Sequence, residues 1–249
     1  MVYEINRDLL ESYKPKLVPG RKEEDAYSRT HGDKEKDNTV AGAVENIVIV
    51  ENFLSEDDLR QYDQYVNTVE WTRGNFAFDS NIKHLTGDMA KLVKKSVDRA
   101  LEIASYKYGF QLCVYGAYSN DDDRYGSFNR WEPGDSLKLH ADSQHTSCSS
   151  ALVGYIRHDL PPFLIMYSAL IYLNDDYEGG ELSFKLHDLE LKPSRGSLVM
   201  FPGSCMYLHE VKEIQKGSRY THNFFLSNAN LTSIYLDMVK MIRQHSSKE

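Results

Sequence analysis

Two histidines and one aspartate stand out in this chain because their types and spacing suit a metal ion. One residue separates His140 from Asp142, and His209 lies much further along the chain. Alternate residues of a β-strand point to the same face, so we expect His140 and Asp142 to reach one ion while Ala141 points away. Two imidazoles and one carboxylate form the ligand set that a non-haem Fe(II) site with open coordination positions requires. The sequence therefore predicts a metal site that is partly built on a strand.

A cation and a hydroxyl follow the second histidine in the run KGSRYTHNFFL at residues 216–226. The guanidinium of Arg219 is able to bind a carboxylate through two parallel hydrogen bonds. Thr221 lies two residues further on, so a strand would place its hydroxyl donor on the same face. We therefore expect Arg219 and Thr221 to bind a carboxylate close to the metal.

The chain that must position these residues has the composition of an ordinary globular protein. Its 249 residues are 41% hydrophobic and 12% aromatic, enough material for a sizeable core. The sequence contains no apolar run that approaches the ~18 residues of a membrane span. We expect a protein without a membrane segment.

Charge and cysteine usage exclude further classes. A formal net charge of −8 argues against a sequence-independent nucleic-acid binder, which needs clustered Lys and Arg. Cys113, Cys148 and Cys205 are too widely spaced for a zinc knuckle and odd in number, so they are expected to be reduced. The first residues lack the layout of a secretory signal, and we expect a cytoplasmic protein.

The chain divides into a polar arm and a single domain. Residues 1–42 are dense in charge and predict a flexible N-terminal arm. Residues 43–110 predict a strand at 46–50 and two supporting helices, one opened by a capping box at Ser55 and one from Asp88 to Ala104. Residues 111–227 predict the β-rich core, and residues 228–249 a C-terminal helix. A Ser-rich loop at 143–162 is expected to act as a lid over the metal.

The core has a strand pattern typical of a double-sheet fold. Eight short β-rich runs separated by turn residues suit an antiparallel jelly roll. The fold class is therefore predicted as mainly β with flanking helices (α+β). The candidate strands are residues 111–119, 124–131, 136–142, 164–174, 181–185, 197–202, 206–211 and 219–227.

Together, these motifs resemble the 2-oxoglutarate/Fe(II)-dependent dioxygenases, in their prolyl 4-hydroxylase-like branch. The resemblance runs from about Gln111 to Leu226. It includes RWEPG at residues 130–134, SALIYLNDDYEGGELSF at 168–184 and LKPSRGSLVMF at 191–201, in the family's order. It implies a double-stranded β-helix (cupin-like) core buttressed by helices.

The resemblance also implies cofactors and roles. Fe(II) would be held by His140, Asp142 and His209, 2-oxoglutarate and O2 would be cosubstrates, and ascorbate would serve as reductant. Arg219 would bind the distal carboxylate of 2-oxoglutarate. The reaction would hydroxylate an unactivated C–H and release succinate and CO2.

One position departs from the family pattern. Prolyl hydroxylases commonly have a tyrosine, whose hydroxyl reaches the cosubstrate, where this chain has Trp131. Indole offers an N–H donor but no hydroxyl, so we expect this contact to be altered, or to be supplied by Tyr172 or Tyr115. Trp131 and Tyr172 are expected among the residues that bind the cosubstrate.

The substrate is left open by the sequence. A prolyl or other side chain of a peptide or protein is favoured by the resemblance, and a free amino acid or small metabolite is the enzymatic alternative. A non-catalytic, metal-binding cupin-like protein is the alternative from another class, although such a binder has no need of a carboxylate-binding arginine. A zinc hydrolase would use similar ligands, but no clear candidate general base accompanies them.

Overall fold

Fourteen strands and two α-helices form the described part of the protein. The computed structural model describes residues 44–74, 76–81, 85–109, 111–114, 125–143 and 165–228. Within that part of the chain, no helix has the length and apolar character needed to cross a bilayer. The mainly β class with helices expected from the sequence is confirmed.

Both predicted helices are present. Helix α1 spans Glu56–Thr68, and the Ser55 side chain accepts a hydrogen bond from the Asp58 backbone N–H, as a capping residue does. Helix α2 spans Gly87–Tyr108 and ends at Gly109, which adopts the left-handed conformation. Tyr62 and Ser96 join the two helices through a buried hydrogen bond of 3.1 Å.

A large sheet carries most of the strands. In spatial order it contains β1 (Val48–Val50), β11 (Leu198–Pro202), β7 (Tyr167–Tyr172), β14 (Arg219–Asn228), β5 (Ser127–Trp131), β3 (Phe78–Asn81) and β2 (Thr72–Arg73). Strand β4 (Leu112–Val114) also pairs with β14. The long strand β14 therefore lies at the centre, between β7 and β5.

A smaller sheet faces the large one. Its order is β10 (Leu189–Leu191), β9 (Leu182–Phe184), β12 (His209–Val211) and β6 (Leu137–His140). The two remaining strands, β8 (Glu178–Gly179) and β13 (Ile214–Lys216), form a separate antiparallel pair. Strands β6 and β12 are neighbours, so the two histidine-bearing segments are adjacent.

The large sheet has a different core on each face because its side chains alternate. On one face, Phe128, Ile171 and Phe224 join the apolar sides of both helices in one buried cluster. On the other face, Trp131, Tyr172 and Phe201 pack with residues of the small sheet in a second cluster. Arg219, Tyr172 and Trp131 lie on this second face, and the two histidines lie on the small sheet that packs against it.

The strand predictions held at the level of elements, with shorter bounds. Each of the eight candidate runs contains an observed strand, and the strand expected at residues 46–50 is β1. The 136–142 prediction was too long, because β6 ends at His140. The N-terminal arm, the C-terminal helix beyond Asn228 and the loop beyond Ser143 lie outside the described residues.

The two ends of β5 provide a test of how closely this strand must approach β14. Gly126 and Gly134 both have positive φ, +88° and +92°. A Cβ at Gly126 would lie 1.9 Å from the Asn223 carbonyl oxygen, whereas a Cβ at Gly134 would meet nothing within 4 Å. We expect Gly134→Ala to lower the free energy of unfolding by about 1–2 kcal/mol through backbone strain. Gly126→Ala should cost a further 1–3 kcal/mol, roughly, because the clash adds to that strain.

Urea unfolding of both variants, followed by circular dichroism, measures this difference. Equal losses of stability in the two variants would show that β5 and β14 do not require close backbone contact at Gly126.

Candidate metal and carboxylate site

The three predicted metal ligands converge at one end of the small sheet. His140 and His209 are cross-strand partners on β6 and β12, and their ring centroids lie 4.2 Å apart. Asp142 lies in the turn after β6 rather than on the strand. The expectation that strand alternation aligns His140 with Asp142 was therefore wrong in mechanism, since cross-strand pairing and a turn bring the side chains together.

The ligand atoms have the arrangement that a single cation needs. The Nε2 atoms of His140 and His209 lie 3.3 and 3.6 Å from the carboxylate oxygens of Asp142. All three ligand atoms lie within 4.8 Å of one another, and all three residues are buried. The donor set of two imidazoles and one carboxylate fits an Fe(II) site with open positions.

Backbone carbonyls fix which nitrogen of each ring faces the site. Nδ1 of His140 lies 2.8 Å from the Lys138 carbonyl oxygen, and Nδ1 of His209 lies 3.0 Å from that of Tyr207. A carbonyl oxygen only accepts, so each Nδ1 carries its proton and donates. The Nε2 lone pair of each neutral ring is then directed to the metal position.

Ser168 supports the carboxylate. Its hydroxyl on β7 donates a hydrogen bond to Oδ2 of Asp142. This contact orients Asp142 even though the residue lies in a turn, and such supporting contacts tune ligand geometry in metal sites. Around the second histidine, the ring of Phe201 packs edge-on against His209 with centroids 4.6 Å apart.

Electrostatics favour the metal-binding form of Asp142 and of His209. Burial alone would raise the pKa of Asp142, but the two histidines and the Ser168 hydroxyl lower it to about 2. Burial lowers the pKa of His209 to about 4. Burial also opposes the charged form of His140, but Asp142 outweighs it and raises the pKa of this ring. At neutral pH the site therefore presents a carboxylate and a neutral His209.

Arg219 is the largest fully buried side chain among the described residues. Its guanidinium carbon lies 4.9 Å from the centroid of the Tyr172 ring and 5.5 Å from that of Trp131. One terminal nitrogen donates a 3.0 Å hydrogen bond to the Tyr172 hydroxyl. No carboxylate of the described residues forms an ion pair with it, so a buried positive charge is left without its natural partner.

Several hydrogen-bond donors around Arg219 are buried and unused. They are Nε and Nη1 of Arg219, Oγ1 of Thr221 and Nε1 of Trp131, and the hydroxyl of Tyr177 lies close to the guanidinium. An unmade buried hydrogen bond costs about 1–3 kcal/mol, so a cluster of unpartnered donors around a cation indicates the place of an anion. A carboxylate, which only accepts, fits this cluster.

Strand β7 holds the two parts of the site on one face. Ser168, which contacts Asp142, and Tyr172, which contacts Arg219, are four residues apart on this strand. At a rise of about 3.3 Å per residue their Cα atoms are roughly 13 Å apart. The metal ligands and the guanidinium therefore lie near opposite ends of the same face of β7.

Gly180, the second residue of the Gly179–Gly180 pair, lies next to Arg219. A Cβ at Gly180 would lie 2.3 Å from Cδ1 of Ile214, 3.2 Å from Cε2 of Tyr177 and 3.4 Å from Cδ of Arg219. The glycine thus allows the chain to pass close to the stem of Arg219. Burial raises the pKa of Tyr177 to about 12, so its hydroxyl remains a protonated donor at neutral pH.

The structure brings together all seven site residues predicted from the sequence: His140, Asp142, His209, Arg219, Thr221, Tyr172 and Trp131. Tyr115, the other candidate for the missing hydroxyl, lies outside the described residues. Ser168 and Tyr177 were not predicted. Alternation back from Tyr172 along β7 places Ser168 on the site face, whereas Tyr177 lies between strands and has no periodic signal.

Known proteins share this segment of the chain. A family model described as the 2OG-Fe(II) oxygenase superfamily matches residues 126–227. A PKHD-type hydroxylase of Pseudoalteromonas atlantica is 27% identical over 193 residues, which cover 72% of this chain and 76% of that protein. Human prolyl 3-hydroxylase 2 is 41% identical over 58 residues, 21% of this chain but only 8% of that much longer protein.

Solved structures share the fold at low sequence identity. A 2OG-Fe(II) oxygenase family oxidoreductase from Burkholderia pseudomallei has a TM-score of 0.53 and 14% identity, over 73% of this chain and 84% of that chain. A collagen prolyl hydroxylase of Paramecium Bursaria Chlorella virus-1 has a TM-score of 0.51 and 15% identity, over 74% of this chain and 96% of that chain.

The support that Ser168 gives to Asp142 leads to a prediction about metal affinity. We expect Ser168→Ala to weaken Fe(II) or Co(II) binding about tenfold, because loss of a supporting hydrogen bond to a ligand typically costs 10- to 100-fold. Ser96→Ala is the matched control, since Ser96 is also buried and hydrogen-bonded but lies between the helices. Anaerobic calorimetric titration gives both affinities. Equal affinities in the two variants would show that Ser168 does not support a ligand.

Proposed function

We propose that the chain is a member of the 2-oxoglutarate/Fe(II)-dependent oxygenase superfamily, in its prolyl hydroxylase-like branch, and that it hydroxylates an unactivated C–H of a peptide or protein side chain. We infer that a prolyl side chain is the target. The observation that carries the cosubstrate assignment is the buried guanidinium of Arg219, whose unused donors call for a carboxylate at a fixed distance from a metal site.

The metal would be held by His140, Asp142 and His209. Three protein ligands leave coordination positions of Fe(II) open for the cosubstrate and O2. When bound, iron and 2-oxoglutarate supply the oxidising chemistry, in which the keto acid is converted to succinate and CO2 as O2 is consumed. The protein's share is to orient the ligands and exclude water, and ascorbate would act as reductant.

The distal carboxylate of 2-oxoglutarate would be bound by the donors around Arg219. Trp131 is the cross-strand partner of Arg219. Thr221 pairs with Tyr172 and lies on the same face of β14 as Arg219. Tyr172 already accepts one N–H of the guanidinium and thereby holds its plane. The Trp131 indole N–H would take the place of the family's usual tyrosine hydroxyl.

We further infer that the two facing sheets are the double-stranded β-helix of the superfamily. The large sheet would supply Arg219 and its neighbours, and the small sheet would supply both histidines. This arrangement explains why Ser168 and Tyr172 of one strand contact both parts of the site.

A prolyl substrate is supported by the relatives rather than by a contact in the site. Several similar proteins are prolyl hydroxylases by name, and the Pseudoalteromonas protein is a hydroxylase of unspecified substrate. A non-catalytic metal-binding protein is a poorer explanation, because such a protein gains nothing from a buried cation whose donors have no partner.

The proposed activity is tested by succinate formation. We expect turnover that requires Fe(II) and 2-oxoglutarate and increases with proline-containing peptides more than with free amino acids. Stimulation by free amino acids alone would identify a small-molecule hydroxylase. A protein that binds Fe(II) and 2-oxoglutarate but forms no succinate with either would be a binder.

Replacement of Arg219 tests the assignment of the carboxylate site. We expect Arg219→Met to raise the KM for 2-oxoglutarate at least about 100-fold, because a charge-assisted bidentate contact is lost. Arg195→Met is the control, since Arg195 is half-buried and pairs with Asp63 and Glu56 near helix α1. The measurement is succinate formation over a range of 2-oxoglutarate concentrations. A KM that matches that of the control variant would show that another cation binds the cosubstrate.

A further inference from the structure

One polar atom on the site face has the opposite character to the donors around Arg219. Asn223 lies on β14, four residues after Arg219 and two after Thr221, so the three side chains share one face. Oδ1 of Asn223 is buried and has no hydrogen-bond partner. It is therefore an unused acceptor. The unused side-chain atoms near Arg219 on the same face are, by contrast, donors.

A neighbouring carboxamide fixes the orientation of Asn223. Nδ2 of Asn223 donates a 2.6 Å hydrogen bond to Oδ1 of Asn129 on β5. In the strand register, Asn223 lies opposite Ser127 on one side and Leu170 on the other. Leu170 lies between Ser168 and Tyr172 on β7, so Asn223 occupies the stretch between the metal ligands and the carboxylate site.

The cosubstrates do not satisfy this acceptor. Ionised 2-oxoglutarate, succinate and O2 contain only acceptor atoms, so none of them donates a hydrogen bond to Oδ1. Among the reactants, the molecule that is oxidised is the one that can carry such a donor. A protonated amine is a poor candidate, because the guanidinium of Arg219 and a bound Fe(II) would both repel a cation here. A neutral amide N–H satisfies the acceptor without that cost.

We propose that Asn223 is a specificity-determining residue that accepts a hydrogen bond from a backbone amide N–H of a peptide substrate. The inference rests on the proposed function and narrows its substrate class to peptides rather than free amino acids. The Asn129 contact acts in positioning, since it holds Nδ2 of Asn223 and leaves Oδ1 as the acceptor.

The experiment combines a change in the protein with a change in the peptide. Wild-type protein is first assayed for succinate formation with a pool of capped pentapeptides of the form acetyl-Xaa-Xaa-Pro-Xaa-Xaa-amide. The best sequence is then N-methylated at one amide at a time, which removes one donor from each probe. We expect one methylation to lower kcat/KM about tenfold in the wild type, the order expected for a buried hydrogen bond.

Asn223→Leu should lose about tenfold in kcat/KM with the parent peptide and should no longer respond to that methylation. Asn67→Leu, at an exposed position of helix α1, is the matched control and should behave as the wild type does. General damage to the fold would lower kcat/KM equally for the parent and the methylated peptide, so the ratio of the two values would not change.

A methylation effect that persists unchanged in Asn223→Leu would overturn the proposal. So would a wild-type protein that ignores every methylation, or one that is stimulated by free amino acids and by no peptide. Failure of the proposed function itself is seen separately, because a protein that forms no succinate and binds no 2-oxoglutarate lacks the cosubstrate site altogether.

Discussion

The buried charge of Arg219 is the constraint on which the rest of the site depends. A guanidinium that is fully withdrawn from water loses several kcal/mol of hydration free energy. In the described residues it donates a hydrogen bond to Tyr172, lies close to the Tyr177 hydroxyl and contacts two aromatic rings, but it has no carboxylate partner. This lost hydration lowers the stability of the fold, and a dicarboxylate bound to the guanidinium would offset the loss. The cosubstrate is thus expected to contribute stability as well as chemistry.

Strands β7 and β14 position the groups that surround this buried charge. Their shared face carries Ser168 and Tyr172 on one strand and Arg219, Thr221 and Asn223 on the other. The donors cluster at the Arg219 end, and the metal ligands lie at the Ser168 end, with one acceptor between them. A molecule with an anionic tail, and a substrate with a neutral N–H, would each find the complementary part of this face.

The sequence was sufficient to single out the side chains that the structure groups together, because their types are chemically specific and their order resembles that of a known family. The eight core strands were also predictable from alternation and turn residues. Strands β2, β3, β8, β10 and β13 were not, since they have two to four residues and gain their pairing from neighbours rather than from apolar periodicity. The position of Asp142 in a turn, and the contacts of Ser168, Tyr177 and Asn223, depend on which strands are adjacent, and spacing alone does not reveal that.

We propose that one cosubstrate molecule binds both the metal held by His140, Asp142 and His209 and the donors around Arg219. The most direct measurement is anaerobic addition of Fe(II) and 2-oxoglutarate to the metal-free protein, followed by visible absorption spectroscopy. Direct chelation of the keto acid predicts a weak metal-to-ligand charge-transfer band that is lost in His209→Ala. A protein that binds Fe(II), as shown separately by calorimetry, but develops no band with 2-oxoglutarate would contradict the account.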